Sequence, residues 1–469
     1  MNRNDRISFV ARALGLMGRR VLIGFVLPAT CLGLAMTQIS SGQSAPDSVT
    51  TILSGDSLAE GQVIQQVLAK NDRAAAARFM EKSARSKIGA SGAWDDPMLM
   101  LGVQNLPTSG DFNADPMTMK MLGLSWNIPY NGVRGLSRKA ATADAEVSTA
   151  DRESTELTLA AAAKTAYADI YYRRKAQTAL AAQYELLSQV VSSVRSKLVV
   201  NQASQEELLS AQSELWKSES DLLMAEADVQ KQEYDLNALR GVPADRPIAD
   251  LAAPVLDTVP TQPDAWIELA RANYPPLRKI AEQSKSYAFS RDAANRMRLP
   301  MFSLSGYYGF RSGYDMGVQG MAEAKRLNMI GFQGTFSIPI FSGRKQGYMA
   351  RSMDAMRQSS DAELQQQARD IGSLIRSLHL YALHGRQSIA LYQDRIIPAS
   401  EDAFKGALAG YQTNRTPLTS VLNYAIALYR NRLAYYQLSN QYAQTMAEIY
   451  RLTTDPQSLP SPATSQVEK

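Results

Sequence analysis

Four methionines, Met98, Met100, Met119 and Met121, alternate in two short stretches, MLMLGV (98–103) and MKMLGL (119–124). A spacing of two puts their thioethers on one side of an extended chain. Thioether sulfur is a soft ligand that suits Cu(I) or Ag(I), although methionine also serves as adaptable filler. Nothing else resembles a metal centre. His379 and His384 are the only histidines, and five positions apart on a helix they diverge by about 140°, a poor chelate. Cys31 is the single cysteine, so there is no internal disulfide and no cysteine-rich metal site. No GxxxxGK[ST], HExxH or GxSxG motif occurs, so the chain reads as a non-enzyme that needs no cofactor.

A second group of candidates is charged. Arg195, Glu206, Glu207 and Arg415 lie beside Asn201 and Asn414 in what read as two helix–helix turns. Asn tolerates the left-handed backbone that such turns need. Such charges either make charged contacts or are solvated, in which case each exposed pair contributes only about 0–1 kcal/mol.

The elements that position these residues are legible as periodicities. From Leu136 to Arg240 there is neither Gly nor Pro, interrupted only by the polar turn VVNQASQEE at 199–207. A 3, 4, 3, 4 count from Leu208 reaches Leu239 through Ala211, Leu215, Leu222, Val229 and Leu236. The same count from Val421 reaches Leu452 through Tyr424, Leu428, Tyr435, Tyr442 and Ile449, each position displaced by 213. A sustained period of 3.5 predicts coiled packing of long helices. Leu180, Tyr184, Leu187, Val191, Val194 and Leu198 continue the rhythm before the first turn.

Four segments alternate with period two, which predicts strands apolar on one side and polar on the other. Phe302, Leu304, Tyr308 and Phe310 oppose Ser303, Ser305, Tyr307 and Arg311. Ile330, Phe332, Phe336 and Ile338 oppose Gly331, Gln333, Thr335 and Ser337. Leu122, Leu124, Trp126 and Ile128 form a third such face, and Leu99, Leu101 and Val103 a fourth. Strands of about ten residues can cross a bilayer when tilted, but four cannot close a barrel, and open edges are not tolerated in lipid.

The whole plan occurs twice. NIPYNGVRGLSRKAA (127–141) and SIPIFSGRKQGYMAR (337–351) make the same strand-to-helix transition. The expected organisation is a first repeat over 57–240, with strands at 98–106 and 118–128 and a hairpin tip near 199–207. A proline-rich linker follows over 241–264. The second repeat covers 265–453, with strands at 301–311 and 329–339 and a tip near 411–418, and a flexible tail covers 454–469. At the other end, Arg12, Arg19 and Arg20 precede an apolar run, Val21 to Met36, and then a small polar stretch, the order of an export signal over residues 1–42. The run is short of the roughly 20 residues a spanning helix needs. Cys31 sits within it and is read as an unmodified residue removed with the signal. The net charge of +5 comes from 50 basic and 45 acidic residues without a basic stripe, which argues against nucleic acid.

With these elements in place, the chain from about Ser57 to Leu452 resembles the TolC-type outer-membrane efflux proteins. The resemblance implies a membrane α+β fold with an internal two-fold repeat. Three copies each give four strands to one twelve-stranded outer-membrane β-barrel, continued by an antiparallel α-helical coiled-coil tunnel in the periplasm. It implies that Pro129, Gly132 and Arg134, and again Pro339, Gly343 and Arg344, form the junctions between barrel and tunnel. Leu122, Leu124, Trp126, Phe302, Leu304, Phe332 and Phe336 then face lipid, and the four methionines face the lumen. The tips, with Arg195, Asn201, Glu206, Glu207, Asn414 and Arg415, narrow the mouth and meet a partner. DPMLMLGVQNLP (96–107) and DPMTMKMLGLSWNIP (115–129) resemble the heavy-metal branch of the family. The first junction departs from that branch, reading Tyr130-Asn131-Gly132-Val133-Arg134 where a Pro-Gly-Lys type is usual. The function implied is a passive exit duct for heavy-metal ions. It would work as a homotrimer with a periplasmic adaptor and an inner-membrane pump of the resistance-nodulation-division type. Drug-efflux and protein-secretion channels are alternatives. A soluble periplasmic coiled-coil adaptor or scaffold is the alternative from another class.

Overall fold

The computed structural model describes residues 58–112, 115–129, 131–254, 258–315 and 324–460. The expected export signal, with Cys31, lies outside them, as does the end of the tail.

Two helices precede each pair of strands, where the sequence pattern predicts one. Helices α1 (Glu60–Lys70) and α2 (Asp72–Gly92) meet at Asn71, whose side chain accepts a hydrogen bond from the Arg73 amide at 2.9 Å. That cap starts a new helix in a new direction. Helices α5 (Asp264–Asn273) and α6 (Pro275–Arg296) meet at Tyr274, and Pro275 occupies a first-turn position that needs no N–H donor.

The strands β1 (Met98–Gln104), β2 (Met119–Ile128), β3 (Phe302–Phe310) and β6 (Met329–Phe336) form one antiparallel sheet in the order β1-β2-β3-β6. A two-residue ribbon, β4 (Tyr314–Asp315) with β5 (Ala324–Lys325), extends the second hairpin. The strands are slightly shorter than the alternation predicts. The fourth ends at Phe336, ahead of Pro339, which has no N–H for the ladder. The register joins the two halves of the chain through β2 and β3, pairing Leu124 with Gly306 and Trp126 with Leu304.

Four long helical segments follow the strands. Helix α3 (Val133–Val199) and α4 (Gln205–Leu239) make the first hairpin. In the second, α7 (Lys345–Leu391) passes through a π-helical turn, Tyr392–Ile396, into α8 (Ile397–Gln412), and α9 (Leu418–Thr453) returns. The wider turn precedes Pro398, whose ring would otherwise meet the carbonyl one turn back.

The predicted seams are buried. Leu208, Ala211, Val229 and Leu236 of α4 pack inward, as do Val421, Leu428, Tyr442, Ile449 and Leu452 of α9. Tyr424 departs from the count and is exposed, its place taken by Leu422 and Ala425. An ideal helix drifts against a strict 3.5 period, so the buried face moves by one position. The linker is a strap laid on the helices. Ile248 is buried, Leu251 bridges Leu58, and the Tyr167 hydroxyl lies 2.8 Å from the Leu58 carbonyl and 2.7 Å from that of Ala252. Further along, the Pro260 carbonyl lies 2.8 Å from Nε2 of the buried His379, whose ring meets Trp266 edge-on.

Candidate functional site

Both hairpin turns close in the same way. Asn201 has φ of 55° and Asn414 of 59°, in the left-handed region. Behind them the Gln202 amide reaches back to the Lys197 carbonyl and the Arg415 amide to the Gly410 carbonyl, each at 2.8 Å. These bonds satisfy carbonyls that a helix end leaves free. Glu207 has a local task. Its carboxylate accepts from the Ser204 amide and the Ser204 hydroxyl accepts from the Glu207 amide, both at 3.1 Å, forming a capping box.

The contact that joins the two tips is one the sequence reading missed. Lys197 Nζ donates to the Tyr411 carbonyl at 2.6 Å and to Asn414 Oδ1 at 2.9 Å. It also stands 3.9 Å from the centre of the Tyr411 ring. Tyr411 is buried with its hydroxyl unpartnered among the described residues, and burial, with the Glu207 charge adding to it, pushes that hydroxyl's pKa up. Arg195, Glu206 and Arg415 are exposed and form no ion pair within the chain among the described residues. The signal that could have found Lys197 is its place one turn before Asn201, where a helix C-terminus favours a cation.

The two strand-to-helix junctions differ. At the first, Gly132 takes φ of 77° as the residue before α3, and the buried Asn131 accepts from the Val133 amide at 3.3 Å. Arg134 folds back onto the end of α2, donating to the Ala93 and Gly92 carbonyls at 3.1 and 2.5 Å and stacking 4.0 Å from Trp94. Trp94 in turn packs on Trp126, 5.3 Å away, and the Trp126 indole donates to the Asp95 carbonyl at 2.8 Å. At the second junction, Gly343 is not among the left-handed glycines. The bend after Pro339 is instead two successive tight turns, Ser342 amide to Pro339 carbonyl and Arg344 amide to Phe341 carbonyl, each at 3.0 Å. Gly132 is thus the junction glycine whose backbone takes the left-handed conformation. A turn built in the right-handed region asks nothing special of Gly343.

The register sorts the sheet into two faces. Leu99, Leu101, Leu122, Leu124, Trp126, Phe302, Leu304, Ile330, Phe332 and Phe336 share one. Phe332 is 81% exposed and Leu101 75%, so this face has no cover among the described residues. Met98, Met100, Met119 and Met121 share the other with Ser125, Ser305, Gln333 and Thr335. Glycines set the surface relief there. A Cβ on Gly309 would stand 2.5 Å from Met119 Sδ, and one on Gly123 would stand 3.2 Å from Met100 Cε and 2.8 Å from Tyr307 Cβ. Those methionines lie across glycine shelves of neighbouring strands, and Met119 is buried by doing so.

At the level of the helices, α2, α3 and α6 are tied by a charge knot. Arg152 pairs with Glu81 at 2.7 Å and Glu156 at 2.5 Å, Arg78 pairs with Glu156 at 2.9 Å, and Arg278 pairs with Glu153. Burial opposes charge on Glu81, but the Arg85 hydrogen bond and the Arg152 charge win and hold its carboxyl below the usual range.

Residues 63–242 match the model of the family described as outer membrane efflux protein. No curated protein matches the chain in sequence. Among solved structures, the channel CusC superposes with a TM-score of 0.72 at 15% identity, covering 84% of this chain and 92% of its own. The outer membrane protein VceC of Vibrio cholerae gives 0.70 at 16% identity, covering 84% and 96%. The outer-membrane channel OprN gives 0.69 at 16%, covering 84% and 89%. The chain has the fold of these outer-membrane channels.

Proposed function

We propose that this chain is an outer-membrane efflux protein of the TolC type, one third of a trimeric exit duct. The observation that carries the reading is the sheet. Its outer strands β1 and β6 are unpaired along one edge among the described residues, and one face is apolar and largely exposed, with Lys120 as its charged residue at a strand end. In water such a face is a liability, and in lipid an unpaired edge is not tolerated, so the strands need both a bilayer and further copies. Three copies make twelve strands with the serine, glutamine and methionine face inward. Barrels of more than about eight strands begin to leave a passage. The helix–helix–strand–strand–helix–helix order occurs twice, and we read it as a duplicated unit that enters the tunnel twice. Along α4, Leu209, Trp216 and Leu223 recur every seven residues and remain exposed, as a helix in a multi-chain tunnel requires.

The soluble-scaffold alternative leaves the apolar face without a purpose. The mass in detergent tests the duct: a trimer is expected, and a stable monomer that needs no detergent overturns it.

A duct without an energy source works with an inner-membrane pump, here taken as resistance-nodulation-division type, and a periplasmic adaptor that engages the tips. Heavy-metal ions are the proposed cargo, on the resemblance of the two Asp-Pro-Met strand segments to the metal branch. Deleting the gene should make the host sensitive to metal salts. Drug sensitivity with unchanged metal tolerance selects the drug-efflux reading instead.

A further inference from the structure

A cavity of about 600 Å³ lies where the methionine-bearing face of the sheet meets the helices. Met297 at the end of α6, Met301 just before β3 and Met349 in the first turns of α7 all line it. Ser303, Thr335, Ser337 and Asn127 line it too, and these belong to the polar face of the sheet. Ile128 and Phe302, of the opposite face, complete the lining at the end of the sheet, but most of the strand residues that line the cavity share the face of Met98, Met100, Met119 and Met121.

The two sets of methionines are in different situations. Of those on the sheet, Met100, Met119 and Met121 lie against Gly123, Gly309 and Gly102, a packing role that accounts for them, while Met98 is exposed. The cavity set comes from three separate segments that line one cavity, with Met301 and Met349 exposed and Met297 half-buried. Met301 is held in place by the backbone, its amide donating to the Ser337 hydroxyl at 2.8 Å and its carbonyl accepting from the Ser337 amide at 2.9 Å. Gln346 also lines the cavity, and its buried Oε1 has no hydrogen-bond donor among the described residues. An unsatisfied buried acceptor costs free energy, and a cation or its water would satisfy it. The charged groups lining the cavity are Asp95, Lys345 and Arg134, whose guanidinium donates to the Gly92 and Ala93 carbonyls, so an ion bound there is held by the thioethers rather than by charge.

We propose that Met297, Met301 and Met349, with Gln346 Oε1 as an auxiliary oxygen, bind a soft monovalent cation of the Ag(I) or Cu(I) class at the entrance to the barrel. Three thioethers suit such an ion and suit Zn(II) or harder cations poorly. Thioethers do not titrate, so binding should be insensitive to mild acid, unlike a histidine or thiolate site. The inference rests on the duct reading for the direction the cavity faces, and it deepens that reading by naming a cargo the wall can touch.

The test is calorimetric titration of the full chain in detergent with silver nitrate, in chloride-free buffer and a Cys31→Ser background that removes the only thiol. One saturable Ag(I) site per chain is expected, with no heat of binding from Zn(II). Met297→Leu, Met301→Leu and Met349→Leu together conserve volume. They should lower the affinity by more than the roughly 10–100-fold that loss of an outer partner of a metal ligand causes. Met98→Leu, Met100→Leu, Met119→Leu and Met121→Leu together should leave it unchanged. Equal affinity in the cavity variant, loss in the sheet variant instead, or no saturable site at all each overturns the proposal. The oligomer mass and bilayer conductance of the same samples report on the duct itself, so a failed metal site is distinguishable from a failed channel.

Discussion

Lys197 and Asn414 are 217 positions apart in the chain, yet the Lys197 ammonium donates to Asn414 Oδ1 at 2.9 Å while resting over the Tyr411 ring. The last turn of α3 thus holds the end of α8. Lys197→Met keeps much of the stem and removes the charge. A hydrogen bond to a charged group contributes about 1.5–3 kcal/mol, and partial exposure places this one toward the low end. The second tip should loosen. Single-channel conductance in a planar bilayer should rise, and a double-mutant cycle with Asn414→Ala should show coupling. Additive effects with unaltered conductance would return Lys197 to a surface role.

Arg415→Ala with Glu206→Ala is the companion experiment at the same tips. Neither residue has an ion pair within the chain among the described residues, so any effect must arise between copies or with a partner. Thermal stability should stay within about 0.5 kcal/mol of the parent. A conductance increase without loss of stability places a charged gate between copies; no change leaves these as solvated turn charges.

Phe332 and Gln333 are adjacent and face opposite sides of the sheet. Phe332→Arg should cost roughly 2–4 kcal/mol if it sits near the midplane of the bilayer, and Gln333→Arg far less. The readout is the yield of heat-resistant oligomer after refolding into vesicles. Equal yields would refute the assignment of the two faces.

The junctions should respond unequally to the same substitution. Gly132→Ala forces a side chain into φ of 77° and should cost about 1–2 kcal/mol. Gly343→Ala meets nothing within 4 Å and has no left-handed backbone, so it should be neutral. Chemical denaturation of the two variants compares them directly.

The charge knot gives the helices an acid sensitivity. The Glu81 carboxyl is held below its ordinary value of 4.5, so its contribution is complete above that pH and is lost as pH falls through the lower folded value. Glu81→Gln should therefore destabilise the protein at neutral pH and flatten the acid limb of its stability curve. Melting temperatures between pH 7 and about pH 3 would show the two curves converging in acid.

The sequence alone determined the element types, because both signals are local. Period two in Phe302–Phe310 and Met329–Phe336 places every side chain on its correct face, and the register then observed agrees with it. The seam from Leu208 to Leu236 and the left-handed Asn201 and Asn414 were legible for the same reason, since each depends only on neighbours a few residues away. What tertiary structure decided is contact between segments far apart. The pairing of β2 with β3 is one such contact. The Lys197 bridge is another, because nothing near Lys197 in sequence points to residue 414. Arg134 is another case: it donates to the carbonyls at the end of α2 and stacks on Trp94, a contact set by where α2 ends. Gly343 shows the converse: a motif matching Gly132 in sequence closes through different hydrogen bonds, because the turn after Pro339 has room for right-handed geometry. The methionines divide along the same line. Their alternation was visible in the sequence, whereas only the register showed which of them lie on glycines, and only the packing of α6, β3 and α7 brought Met297, Met301 and Met349 to one cavity.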